Sequence, residues 1–399
     1  MATSILPWPG IEPPELGTLP PLRQIVEWTA RHIFGIGAEL VVTGSGSGDK
    51  LFDWVQAFCI LVLVALGTAA WSIRDRGRRS YTRLHRAFCL FLRLALGATM
   101  LVYGFDKLIP LQMPFPFLSR LVEPFGNFSP MGVLWYSIGA SPAYEIFLGS
   151  AEVLSGLLVI VPQTATLGAI LCLLDAVQVF AFNMTYDVPV KLFSFHLILI
   201  ALFLLAPEAP RLCNALLLNR HAAPSRHHEV FRGVRARRIG TAVQILFAAC
   251  LVAVNLDSAR KSWTLYGRGA PKSPLYGIWN VEQMFVDGEA RPPLLTDQDR
   301  WRRVLFQDPS TAIFQRMDDS FARFVASINV TDRRLALAKR DDKTWEAGFG
   351  YERSAPDRLD LDGSMDGHLV RMQLQRQDET RFLLVSRGFH WVQEFPFNR

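Results

Sequence analysis

Six apolar segments, each about as long as a membrane is thick, constrain the fold of this 399-residue chain more than any other feature. A transmembrane helix needs about 20 mostly apolar residues, because a rise of about 1.5 Å per residue must cross a hydrocarbon core about 30 Å thick. The predicted spans are residues 51–73, 87–108, 142–161, 167–184, 191–206 and 240–256. The sequence therefore predicts an α-helical membrane bundle of about six spans, within residues 51–260.

Two loops between these spans are rich in arginine and predict the orientation of the chain. They contain Arg74, Arg76, Arg78, Arg79, Arg83 and Arg86 in the first loop and Arg211, Arg220, Arg226, Arg232, Arg235, Arg237 and Arg238 in the second. Cytoplasmic loops carry an excess of lysine and arginine, so both loops are predicted to be cytoplasmic and both termini extracytoplasmic. The same arginines explain much of the formal net charge of +6, which favours membrane lipid over nucleic acid as a partner.

The pattern after Asp257 changes from apolar blocks to short alternating runs. Residues 311–317, 324–330 and 369–374 alternate as half-buried antiparallel strands do. Turn signals occur at Asp287-Gly288, Asp362-Gly363 and Asp366-Gly367. About eight to ten strands in this length favour a closed barrel, which leaves no exposed edge. Residues 270–399 are therefore predicted to form a soluble, all-β antiparallel barrel outside the membrane.

The start of this domain, Tyr276-Gly-Ile-Trp279, resembles the G-x-W motif of the lipocalin-like group. The resemblance implies that Trp279 closes one end of the barrel beneath an arginine from a late strand. Arg387 is placed in the sequence to be that arginine.

Two segments outside the spans have compositions of their own. Residues 1–50 form a predicted extracytoplasmic segment with an interfacial helix around residues 22–42. In the glycine-rich turn that follows, Ser47 or Asp49 is expected to cap the first span. Residues 110–138 are rich in Pro, Phe and Gly and too broken by proline for a continuous helix. We expect there a re-entrant or interface-lying segment on the outer face.

Polar residues inside the spans are the candidates for function. An ionisable group in a bilayer costs at least a few kcal/mol, so it normally faces a protein interior or a watery cavity. Arg93 is predicted to snorkel to the cytoplasmic interface. Depth along the helices gathers the other polar groups towards the outer side. They are Lys107, Gln112, Glu145, Tyr186, Asp187 and Lys191, with Glu152, Asp175 and His196 beneath them. Gly149 and Gly156, on the stripe of the two glutamates, are expected to let another helix come close.

This set of groups permits two interpretations. It lines a polar pocket that opens outward, or it forms a network of ion pairs and hydrogen bonds that fixes the register of the helices. His196 is not accompanied by an H-x-x-x-H or H-E-x-x-H spacing, so no metal site is predicted. Neither a Ser–His–Asp arrangement nor a dinucleotide-binding motif is visible.

Several of these polar positions, taken in order, resemble the DoxX-like membrane family over residues 85–212. The matching motifs are Arg93-x3-Gly97, Tyr103-Gly-Phe-Asp-Lys107, Glu145-x6-Glu152 with Gly156, Tyr186-Asp-Val-Pro-Val-Lys191 and Ser194-x-His196. The resemblance implies a four-helix core, to which the flanking spans and the barrel are additions. It also implies links to quinone-linked oxidation of sulfur compounds and to complexes with other oxidoreductase subunits. The expected location is the bacterial inner (plasma) membrane.

Under the resemblance, quinone is the expected ligand, and Lys107, Glu152 and His196 would contact its oxygens and pass protons. The remaining expected ligand-binding residues are Tyr103, Gln112, Glu145, Asp175, Tyr186, Asp187 and Lys191. The alternative is a non-enzymatic protein for membrane binding, assembly or a chaperone role, in which bundle and barrel hold a lipid or a partner protein. A transporter is disfavoured because no inverted repeat is detectable.

Overall fold

The structure is a computed structural model that describes Gly17 and residues 19–78, 80–222, 233–342 and 344–398. Arg79, Arg226 and Arg232, three of the arginines used to predict the orientation, lie outside these residues. The chain divides into two compact units, one comprising Met1–Gln112 with Ala143–Lys261 and the other Met113–Pro142 with Ser262–Arg399. The first unit contains the long helices and the second contains the strands.

The long helices of the first unit match the predicted spans. In chain order the helices of both units are α1 (Pro20–His32), α2 (Leu51–Arg74), α3 (Thr82–Leu108), α4 (Leu118–Val122), α5 (Pro130–Gly139), α6 (Pro142–Ile160), α7 (Ala165–Thr185), α8 (Lys191–Leu205), α9 (Ala209–Leu212), α10 (Val234–Leu265) and α11 (Leu383–Ser386). Among the described residues, six helices are long and apolar enough to cross a membrane: α2, α3, α6, α7, α8 with its irregular continuation to Leu217, and α10. The predicted helical membrane bundle is confirmed.

Helix α3 is the central helix of this bundle. About two thirds (67%) of the residues in its apolar stretch are buried, compared with 17–39% for the other five candidate spanning helices.

Glycines seven residues apart bring α3 against α6. A Cβ atom on Gly149 of α6 would lie 2.7 Å from the carbonyl oxygen of Gly104 in α3, and one on Gly156 would lie 3.0 Å from that of Gly97. The expectation that Gly149 and Gly156 admit a neighbouring helix is confirmed.

Arg93 does not snorkel, and that prediction is wrong. Its guanidinium is buried and donates to the carbonyl oxygens of Val159 (2.9 Å) and Ile160 at the C-terminal end of α6. It also donates to Gln244 Oε1 of α10 at 3.1 Å. The last carbonyls of a helix have no partner within that helix, so a buried cation there satisfies them and offsets its own loss of hydration.

The glycine-rich turn before α2 caps a different helix from the one predicted. The carboxylate of Asp49 accepts the backbone N–H groups of Lys191 (2.7 Å) and Leu192 (2.9 Å) at the start of α8. Helix α2 begins instead with the Asp53 carboxylate accepting the N–H of Lys50. Asp49 therefore joins two segments that are far apart in sequence. The predicted interfacial helix around residues 22–42 is shorter, since α1 ends at His32.

The second unit contains an antiparallel barrel. Its strands are β1 (Gly277–Val286), β2 (Glu289–Ala290), β3 (Trp301–Phe306), β4 (Thr311–Arg316), β5 (Phe321–Asn329), β6 (Arg334–Ala338), β7 (Glu346–Ala355), β8 (Arg358–Met365) and β9 (His368–Gln377). In the described chain β1 and β3–β9 pair in sequence order, and β1 also pairs with β9. Eight strands therefore form a closed barrel, with β2 as a short appendage to β1. The predicted barrel is confirmed.

Aromatic side chains fill the inside of the barrel. The core includes Trp279, Trp301, Phe314, Phe324, Trp345 and Phe349. Trp279 is fully buried, and its Nε1–H donates to the carbonyl oxygen of Leu275 at 2.8 Å. Among the described residues, Arg353 of β7 places a cation over its ring, at 5.8 Å from the ring centroid. The prediction of Arg387 is wrong: Arg387 follows α11, beyond the last strand, and lies over Phe397.

The three predicted turns have different outcomes. Asp287-Gly288 and Asp366-Gly367 have positive φ at both residues and connect β1 to β2 and β8 to β9, as type I′ hairpin turns do. Asp362-Gly363 lies inside β8, so the turn predicted there is wrong. A Cβ atom at Gly363 would lie 2.8 Å from Phe349 Cα and closer still to the Gly348 carbonyl oxygen. This glycine permits close approach of two strands rather than a turn.

Residues 113–142 belong to the barrel unit. Leu118 of α4 packs against Ile278, Leu305 and Ile313, on the outer face of the barrel. The Leu118 N–H donates to Gln307 Oε1 at 2.8 Å, and Gln315 Nε2 donates to the Val122 carbonyl at 3.1 Å. The segment predicted as re-entrant or interface-lying thus contributes two short helices, and the first of them covers apolar barrel residues.

Candidate functional site

A buried ion pair between α3 and α6 is the centre of the candidate site. Lys107 Nζ donates to Glu152 Oε1 at 2.8 Å and to Oε2 at 2.7 Å. The Lys107 and Glu152 side chains are only 7% and 8% exposed. The close approach of α3 and α6 at Gly104 and Gly149 brings these two side chains within reach. Buried charges need such partners, because an unpaired one would carry a large desolvation cost.

A second carboxylate, from α7, lies beside this pair. Asp175 is half-buried and interacts electrostatically with Lys107. Its Oδ2 atom is buried and has no hydrogen-bond partner among the described residues. Ser155 of α6 is fully buried, and its hydroxyl, which donates to the Glu152 carbonyl oxygen at 2.9 Å, also lies within hydrogen-bonding range of the Asp175 carboxylate. The site therefore combines one cation with two carboxylates, one of which retains an unused acceptor.

Three other predicted ligand-binding residues belong to the ends of α3 and α6. The half-buried Tyr103 ring lies 5.9 Å from Lys107 Nζ and 5.9 Å from the Phe193 ring of α8. Glu145, in the first turn of α6, is fully buried. Gln112 is half-buried, and its Oε1 atom is buried with no hydrogen-bond partner in the described chain.

Tyr186, Asp187 and Lys191 form a separate group at the turn between α7 and α8. Lys191 Nζ donates to Asp187 Oδ1 at 3.0 Å and lies 3.9 Å from Asp49 Oδ2. Asp187 is mostly exposed and has a positive φ of 52°. Tyr186 ends α7 and packs on Phe182. The turn between α7 and α8 is therefore held in part by an exposed ion pair. Such a pair contributes about 0–1 kcal/mol to stability.

His196 takes no part in the hydrogen bonds of the buried pair. It is exposed on α8, and its Nδ1 is 2.7 Å from the carbonyl oxygen of Leu192 in the same helix. Ser194, two residues earlier, is buried and receives a hydrogen bond from Asn183 Nδ2 of α7 at 2.9 Å. Two residues rotate a helix by about 200°, so a face that turns Ser194 inward turns His196 outward.

Sequence reasoning missed Ser155 and the Asn183–Ser194 link between α7 and α8. Ser155 follows Glu152 by three residues, hence on the same face of α6, and that spacing could have identified it. The described residues contain no group of three or more His, Cys, Asp or Glu side chains arranged to hold a metal ion.

A polar groove of about 970 Å³ lies on the barrel unit. Its lining residues include Lys272, Tyr276, Asp357, Arg376 and Glu379. Lys272 Nζ lies 4.2 Å above the Tyr276 ring. Burial and the neighbouring Glu379 carboxylate raise the pKa of the Tyr276 phenol to about 12. The balance of positive and negative groups in this groove selects no single class of ligand.

Comparison with known proteins gives a limited result. Neither a protein-family model nor a solved structure matches the chain. The chain is similar to the uncharacterized protein YwoB of Bacillus subtilis (strain 168), with 26% identity over 140 residues. The aligned part is 33% of this chain and 83% of that protein. The similarity therefore links about a third of the chain to a bacterial protein and transfers no activity.

Proposed function

We propose that α3, α6, α7 and α8 bind a quinone-like or lipid-like molecule next to the Lys107–Glu152 pair. The observation that carries this proposal is the buried Asp175 Oδ2 atom, which has no hydrogen-bond partner among the described residues. A buried acceptor left unsatisfied costs about 1–3 kcal/mol, and more when charged. A donor group on a bound molecule would remove this cost.

The residues present fit the head group of a quinone. Lys107 has three N–H donors and Glu152 accepts two of them, so one is available to a ring carbonyl oxygen. Asp175 Oδ2 could accept from the hydroxyl of the reduced form, and Tyr103 offers an aromatic wall. A bound quinone would supply two-electron redox chemistry. The chain would orient the ring and hold a proton on a carboxyl oxygen.

The DoxX-like resemblance supports a place for this site in a quinone-linked oxidoreductase complex with other subunits. Within the proposal, Lys107 and Glu152 remain the residues nearest the chemistry. His196 has a lesser place, because an exposed side chain bonded to its own helix is poorly positioned to share a proton with a buried pair.

A second candidate is a non-enzymatic membrane protein for binding, assembly or a chaperone role. The direct pairing of Lys107 with Glu152 favours it, since the two charges satisfy each other and can serve only to fix the register of α3 against α6. Asp175 separates the two candidates, because a structural network gains little from a carboxylate oxygen without a partner.

The test compares Asp175→Asn with Asp187→Asn in the full chain purified in mild detergent. Both changes remove one carboxylate, but Asp187 is exposed and lies outside the buried site. We expect quinone or lipid to be extracted from the parent and from Asp187→Asn and to be lost from Asp175→Asn, with little change in melting temperature. Equal extracts from all three proteins, or no extractable molecule in the parent, would contradict the proposed pocket and favour the structural role.

We further propose that the protein resides in the bacterial inner membrane with both termini on the outer side. The arginine-rich loops before α3 and before α10 support this orientation. A phosphatase reporter fused after Arg399 should be active, whereas one fused near Ser225, outside the described residues, should be inactive. The opposite pattern would reverse the orientation.

A further inference from the structure

The last residues of the barrel unit form an exposed aromatic loop, defined here as residues 387–397. Phe389, Trp391 and Phe395 are 80%, 90% and 83% exposed, and Val392 is exposed beside them. A soluble surface rarely presents so many large apolar side chains in one short segment, and such a cluster usually marks an interaction site.

The aromatic loop has a defined shape. The Arg387 guanidinium lies 3.8 Å from the centroid of the Phe397 ring, which brings the two ends of the loop together. Arg387 Nη2 also donates to Gln393 Oε1 at 3.1 Å across the loop. Gly388 has a φ of +67°, a conformation that glycine adopts without strain, and Phe389 contacts Trp391 edge to face at 5.2 Å. The loop is therefore closed at its base by Arg387 and projects apolar side chains from its tip.

We propose that the aromatic loop inserts its tip into the interfacial region of the bilayer that holds the transmembrane helices. Tryptophan and other aromatic side chains are favoured at that depth, where an apolar ring meets a hydrated boundary. Residues 266–276 join α10 to β1 and can extend no more than about 40 Å, so the barrel remains within reach of a membrane surface.

The size of the aromatic tip favours lipid over a protein partner. An aromatic side chain buries about 150–250 Å², so the three rings together offer about 600 Å². A stable protein interface buries about 800 Å² on each partner, spread over about 20–30 residues. A narrow loop with three projecting rings falls short of that area, but shallow insertion into a lipid interface needs only a few apolar side chains.

The test places a fluorescent dansyl amino acid at one position of the full chain by stop-codon suppression. It replaces Trp391 in one sample and Thr331, an exposed residue between β5 and β6, in a matched control. Each protein is reconstituted into phosphatidylcholine vesicles with and without spin-labelled lipid. We expect emission from position 391 at a shorter wavelength than from position 331, and a loss of about half its intensity with spin-labelled lipid, as for a group at the depth of the aromatic belt. The control should lose almost none.

A second sample combines the label at position 391 with Arg387→Gln, which opens the base of the loop. Its quenching should fall below that of the parent loop, because the rings no longer project together. Emission at position 391 that matches the control and is not quenched would place the loop in water and overturn the proposal. A short-wavelength emission without quenching would mean contact with protein and would overturn the assignment to lipid.

Discussion

Lys107 and Glu152 satisfy each other's charge across the interface of α3 and α6, with Nζ 2.7 Å from Oε2. Removal of one partner leaves the other buried charge without it, whereas removal of both leaves only the half-buried Asp175 carboxylate. We therefore expect Lys107→Met alone to destabilise the bundle by about 3–5 kcal/mol and the double variant Lys107→Met/Glu152→Met to recover most of that loss. Thermal melts of the three proteins in the same detergent measure the difference. A double variant as unstable as the single one would contradict the pairing as the cause.

Close packing of α3 on α6 predicts a steep cost for a single methyl group. A Cβ atom on Gly149 has no room beside Gly104 and Leu108, so Gly149→Ala must push the helices apart. We expect a loss of about 1–3 kcal/mol, as for other overpacked sites. Gly67→Ala in α2 is the control, since nothing lies within 4 Å of the new atom and alanine favours a helix. Equal melting temperatures for the two variants would show that the helices can separate freely.

The stability of the barrel should depend strongly on Trp279. It should depend only weakly on Arg353, which lies over the Trp279 ring, and on Arg387, which lies over Phe397. Trp279→Ala removes a fully buried side chain and is expected to cost about 3–5 kcal/mol. Arg353→Met, which removes an exposed cation over the ring, should cost about 0.5–1 kcal/mol. Arg387→Met should leave the barrel unchanged. Pulse proteolysis of the full chain in a urea series, with the barrel fragment followed on gels, gives the three values. An Arg387 effect as large as that of Trp279 would contradict the observed packing.

The Tyr276 phenol gives the barrel a dependence on alkaline pH. Its pKa is raised to about 12 by burial and by Glu379, above the ordinary value of 10, so folding favours the protonated form. The resulting stability is complete below pH 10 and is lost as the pH rises through about 12. Tyr276→Phe should therefore lose less barrel stability than the parent between pH 10 and pH 12 in the same proteolysis assay. Parallel losses in the two proteins would mean that Tyr276 titrates as an exposed phenol.

Most of the secondary structure could be predicted from local pattern. The length of the apolar segments sets α2, α3, α6, α7, α8 and α10, and alternation sets strands such as β4 and β9. Turn prediction from local sequence was less reliable, because a glycine occurs both in turns and where two strands approach closely. Asp362-Gly363 has the composition of a hairpin turn, but its glycine lies within β8 because Phe349 on β7 comes close. Composition also could not identify the cation over Trp279, since Arg353 reaches it only after the strands have closed into a barrel.

The candidate site, like the fold, could be predicted only in part from the sequence. Rise per residue predicts adjoining depths for Lys107, Glu152 and Asp175 from the sequence alone. Tertiary packing decided which groups meet, because the rotation of each helix about its axis depends on its neighbours. The glycine contacts of α3 and α6 turned Lys107 towards Glu152, and the buried Ser194 turned His196 away from them. Sequence therefore determined how far along its helix each polar group lies, and only helix packing, which buries small and polar residues on one face, decided which of them share a site.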